Sequence, residues 1–228
     1  MSKVKMVILA NSWRPGGVCL AGKTLPCNHG SKWLRPIHSE KKPALPTELC
    51  KHSNNVFKIG DIVEFEVSKK IPDQHQTENV LLPNQPSFSY LRCASKDELK
   101  KLASGEPKDL WLNDRKSTNG LRDYIENPKE IKNKNSLRWI YAPSVTISSK
   151  DDGEFFDNPG RISVRAEFEY CGVNYKLKVK DRIVEGEFSS KAPSEKSVGP
   201  HYLCISLTLP YDDNGRAYKL VAGMAKAV

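Results

Sequence analysis

The sequence predicts a mostly β protein with a minor helical part, folded as compact barrels or sandwiches, and three observations support this. Apolar and charged side chains alternate through residues 161–180 on both sides of a glycine-bearing turn, as in a hairpin with one buried and one charged face. Residues 60–67 alternate in the same way. Only residues 95–105 carry helix signals, a Ser-x-x-Glu capping box at the start and a glycine at the end.

The other elements of the first half follow from apolar runs bounded by glycine, proline and polar residues. Strands or apolar runs are predicted at Val4–Ala10, Val18–Ala21, Lys32–Ile37 and Val80–Leu82. Polar turns and loops are predicted at Asn11–Gly17, 39–55 and Ile71–Asn79.

The second half is predicted to be a series of strands. One strand is expected at Leu137–Ser148, and a hairpin joins Tyr202–Leu209 to Ala217–Ala222 through the turn Asp212–Gly215. The lysines at 176, 178 and 180 are expected to pair with glutamates across the 161–180 hairpin, with phosphate binding as the alternative.

Composition limits the classes of protein. The 228 residues suit one large unit or two small modules, and 36 Lys and Arg against 27 Asp and Glu leave a net charge of +9. Such an excess favours a polyanionic partner such as nucleic acid, although an ordinary hydrated surface has the same composition. The apolar run at Met6–Ala10 is too short for a signal segment, so we expect a cytoplasmic protein with no membrane partner.

The six cysteines are scattered and contain no C-x-x-C pair. A repeated C-x-H pattern, Cys27 with His29 and Cys50 with His52, is a weak zinc signal because structural zinc sites use other spacings. We therefore predict no metal, no cofactor and no disulfide.

Three polar segments of the first half are not explained by packing. Asn11-Ser12-Trp13-Arg14 precedes Pro15-Gly16-Gly17 and offers hydrogen-bonding groups, a ring face, a guanidinium and exposed amides. Lys23 closes the following apolar run without completing a nucleotide-binding P-loop. A tight turn with a surface tryptophan is the alternative interpretation.

The second segment is Trp33-Leu34-Arg35-Pro36, which places a ring and a guanidinium on one strand face. That combination would serve single-stranded nucleic acid, through stacking and phosphate pairing. A core tryptophan with Arg35 at its rim is the alternative.

The third segment is His75-Gln76-Thr77-Glu78-Asn79, five polar residues without glycine or proline. It is typical of a recognition loop. His75 and Glu78 could act as acid and base, but no nucleophile accompanies them, so no catalytic residue is predicted.

These segments together resemble the bacterial dual OB-containing domain family. The resemblance covers nearly the whole chain and rests on Asn11-Ser12-x-Arg14-Pro15-Gly16-Gly17-x-Cys19-x-Ala21-Gly22-Lys23, Trp33-x-Arg35-Pro36, His75-Gln76-Thr77-Glu78-Asn79, Leu110-Trp111, Tyr202–Leu207 and Tyr218–Ala222. It implies two tandem OB-like small β-barrels, nucleic-acid binding, and a place in bacterial defence systems or mobile elements.

The expectation is therefore an N-terminal OB-like barrel at 1–112, a connecting or functional loop at 113–136, a C-terminal OB-like barrel at 137–228, and one short helix near 96–104. We predict a nucleic-acid-binding protein rather than an enzyme. The predicted binding residues are Asn11, Ser12, Trp13, Arg14, Lys23, Trp33, Arg35, Gln76, Glu78 and Asn79. The alternatives are an adaptor for a protein encoded nearby and a nucleotide- or RNA-processing enzyme that uses His75 and Glu78.

Overall fold

A computed structural model describes residues 2–28, 30–111, 114–131, 135–153, 160–210 and 215–227. The fold is mostly β, as predicted. The strands are β1 (Ser2–Arg14), β2 (Gly17–Thr24), β3 (Trp33–Ile37), β4 (Lys51–His52), β5 (Asn55–Val56), β6 (Asp61–Val67), β7 (Lys69–Lys70), β8 (Asn79–Leu81), β9 (Phe88–Cys93), β10 (Tyr124–Glu126), β11 (Leu137–Ala142), β12 (Val145–Asp151), β13 (Ile162–Tyr170), β14 (Val173–Val179), β15 (Ser194–Ser197), β16 (His201–Leu207) and β17 (Arg216–Lys226). The helices are α1 (Lys96–Ala103), α2 (Arg182–Ser189) and 3-10 turns at Thr47–Cys50 and Pro128–Ile131.

The first sheet runs in the order β7-β8-β3-β2-β1-β6-β9, and its β3–β8 pair is parallel. Only Ser68 separates β6 from β7, so one stretch of chain pairs with β1 at its start and with β8 at its end. The strand pairings can therefore be followed from β1 through β2, β3 and β8 to the β6–β7 stretch and back to β1. Strand β9 pairs with β6 outside this circuit.

The second sheet repeats this arrangement in the order β11-β16-β17-β14-β13-β12-β15, with β14 and β17 parallel. Its first strand is divided, because β11 pairs with β16 while β12 pairs with β13. The single strand predicted at Leu137–Ser148 is therefore wrong. The division lies at Pro143-Ser144, where proline removes a ladder donor and bends the strand.

The predicted loop at 113–136 contributes to the second sheet. Leu121 and Lys176 exchange two backbone hydrogen bonds of 3.1 Å, and β10 pairs with β17. Since β14 meets β17 over only two residue pairs, this segment fills the space where the two strands separate.

Three apolar clusters hold the molecule together. One lies inside the first sheet around Ile8, Leu20 and Phe65, and one inside the second around Val164 and Leu177. The third, called here the shared core, contains residues from both sheets. Its buried members are Val7, Leu9, Ala10, Ala21, Trp33, Ile62, Leu99, Leu102, Leu137, Trp139, Tyr202, Cys204 and Ala222.

The helix predicted near 96–104 is confirmed. Ser95 and Glu98 form the reciprocal capping box, and Leu99 and Leu102 are its buried residues. The expectation of one helix is incomplete, because α2 follows β14. The Asp181 carboxylate caps α2 by accepting from the amides of Ile183 and Val184, each at 3.0 Å.

The turn predicted at Asn11–Gly17 is shorter than expected. Strand β1 continues to Arg14 and is buried from Met6 to Ser12. Both of its faces are covered there, because one packs into the apolar cluster inside the first sheet and the other into the shared core. Only Pro15 and Gly16 form the turn. The 3-10 turn at Thr47–Cys50 and the β4–β5 hairpin also lie where the sequence predicted only loop.

The hairpin at 161–180 is confirmed, with Cys171 and Gly172 both at positive φ in its two-residue turn. Lys176 pairs with Glu167 across the strands at 3.2 Å, as expected. Strands β16 and β17 pair as predicted, while residues 212–214 of their predicted turn lie outside the described residues. No helix in the described ranges has the length and apolar character needed to cross a membrane.

Candidate nucleic-acid interface

The second and third polar segments meet in a buried ion pair. Arg35 on β3 and Glu78 before β8 are 2 % and 4 % exposed, and Arg35 Nη2 lies 2.9 Å from Glu78 Oε1. The hydroxyl of Ser136 donates to Glu78 Oε1 at 2.6 Å and accepts from Arg35 Nη2 at 2.9 Å. Arg35 Nη2 also reaches Ser206 Oγ at 3.4 Å. The pair therefore joins the first sheet to residues of the second.

His75 and Gln76 make further contacts of the same kind. His75 Nε2 lies 2.8 Å from the carbonyl oxygen of Thr208, which can only accept, so Nε2 carries the proton. Burial is the main cause that lowers the pKa of His75 below its ordinary value. Gln76 Nε2 donates to the Leu207 carbonyl at 3.4 Å. The loop before β8 is thus fixed to the end of β16.

Asn79 lies beside this network and is 4 % exposed. Its backbone pairs with that of Arg35 in the parallel β3–β8 ladder. Its Oδ1 has no hydrogen-bond donor among the residues that the structure describes. The side chain therefore faces the interior rather than solvent.

Lys23 and Trp33 form a second buried group, on neighbouring strands in register. Lys23 Nζ donates to the Leu102 carbonyl at 2.8 Å and to Glu106 Oε1 at 2.5 Å. The same ammonium lies 5.2 Å from the centre of the Trp33 ring. These partners lie on and just after α1, so Lys23 fixes that helix against the sheet.

Asn11 and Ser12 are also buried. Asn11 Nδ2 donates to the Phe57 carbonyl at 2.6 Å, and Ser12 forms an isolated antiparallel bridge with Asp181. The Asn11 amide nitrogen is therefore bound inside the protein, while the Ser12 bridge is formed by backbone groups.

Trp13 and Arg14 differ from the other eight residues that the sequence predicted to bind nucleic acid. All four tryptophans lie in the described ranges, and Trp13 alone is exposed, at 47 %. The Arg182 guanidinium lies over its ring, with Cζ 3.9 Å from the ring centre. Arg14, the next residue, is half-buried. Here an aromatic ring and the guanidinium of Arg182 meet at the surface. Trp13 and Arg182, with their chain neighbours Arg14 and Ile183, are called here the Trp13 surface.

The sequence did not point to Arg182. Its contact with Trp13 spans most of the chain, and it begins a helix that the sequence did not predict. The available signal was Asp181, a strong N-cap residue directly after the alternating strand.

The comparison with family models agrees with this arrangement of two similar sheets. The model of the dual OB-containing domain matches residues 4–224. The chain belongs to the dual OB-containing domain family. The match spans both sheets of this dual OB domain.

A solved structure described as "Molecular basis for abrogation of activation of pro-inflammatory cytokines" aligns with the dual OB domain at 9 % identity and a TM-score of 0.36, over 98 % of this chain and 92 % of that chain. None of the curated proteins compared with the dual OB domain matches it.

The assignment of the ten predicted residues to nucleic-acid binding stays a prediction. Eight of them are buried and bound within the dual OB domain or enclosed by it: Asn11, Ser12, Lys23, Trp33, Arg35, Gln76, Glu78 and Asn79. Trp13 and Arg14 are the two whose side chains are open to a large ligand. His29 of the weak zinc pattern lies outside the described residues.

Proposed function

We propose that the dual OB domain binds single-stranded nucleic acid, with Trp13 stacking on a base. The observation that carries this proposal is the exposed Trp13 ring, which has the Arg182 guanidinium 3.9 Å from its centre. Proteins that bind single strands combine such stacking rings with cations, because every base has a π face and every linkage a charge.

Charge supports the same function. Arg182 lies against the Trp13 ring and supplies a cation beside a stacked base, and Arg14 at the end of β1 is a second cation close in the chain. The chain carries a net charge of +9, which attracts a polyanion over long range and makes binding weaken with added salt.

The test is a fluorescence anisotropy titration with labelled dT20 and rU20 at low salt. Trp13→Ala should weaken binding by roughly 5- to 150-fold, which corresponds to about 1–3 kcal/mol for one stacked base. Tyr141→Ala is the matched control, since Tyr141 is an aromatic residue of similar exposure, 46 %, whose ring on β11 packs beside that of Tyr202. It should leave affinity unchanged.

Two results would count against the proposal. Failure of the unmodified protein to bind either oligomer would remove the function. Equal affinities for the Trp13 and Tyr141 variants would move the site elsewhere on the molecule.

A protein partner is the second candidate, and one observation favours it. Ile183 follows Arg182 and is 48 % exposed, so the Trp13 surface also offers apolar area of the kind that adaptors use. Co-purification of a neighbouring gene product that persists after nuclease treatment and is lost in Ile183→Asp would support this role over the first.

A further inference from the structure

A cavity of about 710 Å³, lined mostly by residues with polar side chains, opens on the outer side of the second sheet. Its floor is formed by β12, β13 and β14, on the face opposite the core residues Val164 and Ala166. Residues 118–120 and Pro193–Glu195 form the walls. The cavity shares no residue with the Trp13 surface.

Two groups in this cavity have hydrogen-bonding capacity that the fold does not use. Ser163 is 5 % exposed, and its Oγ has no hydrogen-bond partner in the described part of the chain. Arg165, two residues along β13, has no acceptor there for Nε or Nη1, and its nearest carboxylate oxygen, Asp123 Oδ2, is 3.6 Å from Nη1. Buried polar atoms are normally bonded, so both residues favour a bound partner.

The cavity lining carries three cationic side chains and two carboxylates. Strand register places Lys150 beside Ser163 and Lys178 beside Arg165 on this face. Burial, and after it the neighbouring cations Lys180 and Arg161, lower the pKa of Lys178 to about 8. Cations that lower one another's pKa are stabilised by an added anion.

We propose that this cavity binds a small phosphate-bearing molecule of nucleotide size, with its phosphate held by Arg165 and Ser163. A guanidinium fork matches the oxygens of a phosphate, and a serine hydroxyl adds a neutral donor. The cavity volume lies in the range of small-molecule sites and is larger than one phosphate group needs. Glu195 and Asp152 also line the cavity and accept hydrogen bonds from hydroxyl or amino groups of the remaining part of the ligand.

Isothermal titration calorimetry on the full chain tests this, with adenosine monophosphate, adenosine and inorganic phosphate as probes. The unmodified protein should bind the monophosphate at one site and bind adenosine much more weakly. Ser163→Ala should weaken monophosphate binding by about 10- to 150-fold, as expected for a lost hydrogen bond to a charged group. It should fold normally, because its hydroxyl has no hydrogen-bond partner to lose among the residues that the structure describes.

Arg165→Lys is the second variant, since it keeps the charge and removes the fork; it should also weaken binding. Lys196→Met is the control, because it removes a cation from an exposed position on β15 outside the cavity lining. Trp13→Ala should bind the monophosphate like the unmodified protein, so this site and the proposed nucleic-acid site can fail separately.

Three outcomes would overturn the proposal. One is the absence of monophosphate binding at millimolar concentration, and another is equal binding of adenosine. The third is that Ser163→Ala and Arg165→Lys weaken dT20 binding only, which would make the cavity part of a path for phosphodiester backbone instead.

Discussion

At the scale of the residue, the Arg35–Glu78 ion pair gives the first prediction. Glu78→Ala should lower the free energy of unfolding by about 3–5 kcal/mol, because it leaves a guanidinium of 3 % side-chain exposure without its carboxylate. Urea denaturation measures the change. Glu48→Ala is the control: Glu48 pairs with Lys51 at 2.9 Å but is 81 % exposed, and should change stability by less than about 0.5 kcal/mol. Similar losses in the two variants would show that the buried pair is not stabilising.

His75 predicts how stability depends on pH. Burial lowers the folded-state pKa of His75 below 6.5. Just below pH 6.5 the imidazole therefore binds a proton more readily in the unfolded chain than in the folded protein. The His75 contribution is complete above about pH 6.5 and falls as pH drops toward the folded-state pKa. His75→Gln keeps a donor for the Thr208 carbonyl and should reduce this loss of stability between pH 7 and 5.

The measurement is urea denaturation of both proteins at several pH values, and the quantity compared is the difference between them. All other residues are identical in the two proteins, so their contributions cancel in this difference. A difference that stays constant from pH 5 to 8, or that grows in the opposite direction, would contradict the depressed pKa.

The same residues show what the sequence could and could not predict. It singled out Arg35, His75 and Glu78 as polar groups that alternation does not explain. It could not show that these groups join the two sheets, since Glu78 is 58 residues from Ser136 and His75 is 133 residues from Thr208. Polar side chains at an internal junction and at a ligand site have the same composition.

At the scale of the element, local patterns predicted most strands and α1. The alternation of residues 161–180 and the capping box at Ser95 depend on neighbours within a few positions, so they are readable without tertiary structure. Helix α2 was missed because Gly186 interrupts a short apolar pattern. Strand β1 continues through Asn11 because it pairs with β2 as far as Gly17, and the buried Asn11 side chain finds its partner in Phe57, 46 residues away.

Two glycines give a prediction about how elements pack. Gly223 on β17 approaches β1 so closely that an added Cβ would lie 2.1 Å from the Leu9 carbonyl oxygen. Gly223→Ala should therefore destabilise the protein by about 2 kcal/mol or more, through displacement of the two strands. Thermal or urea denaturation measures the loss.

Gly186→Ala is the matched substitution. No atom lies within 4 Å of a Cβ at this position in α2, so alanine should stabilise the helix by up to about 1 kcal/mol. Equal effects of the two substitutions would mean that β1 and β17 are not in close contact.

At the scale of the whole molecule, the two sheets share one buried layer. Trp139 on β11 stacks on Tyr202 with ring centres 5.7 Å apart and donates from Nε1 to the Leu99 carbonyl of α1 at 3.0 Å. The shared core, the Arg35–Glu78 pair and the His75 contact all join the same two sheets. Neither sheet can unfold without exposing the apolar face of the other.

This coupling predicts one cooperative unfolding transition. Far-UV circular dichroism and tryptophan fluorescence should give the same urea midpoint, because both sheets lose structure together. Trp139→Ala removes an indole from the shared core, so it should lower the midpoint and separate the two signals into different transitions. Phe168→Ala removes a ring of the second sheet's own core, and it should lower the midpoint while keeping one transition. Two separate transitions in the unmodified protein would show that the sheets fold independently and that the shared core adds little to their stability.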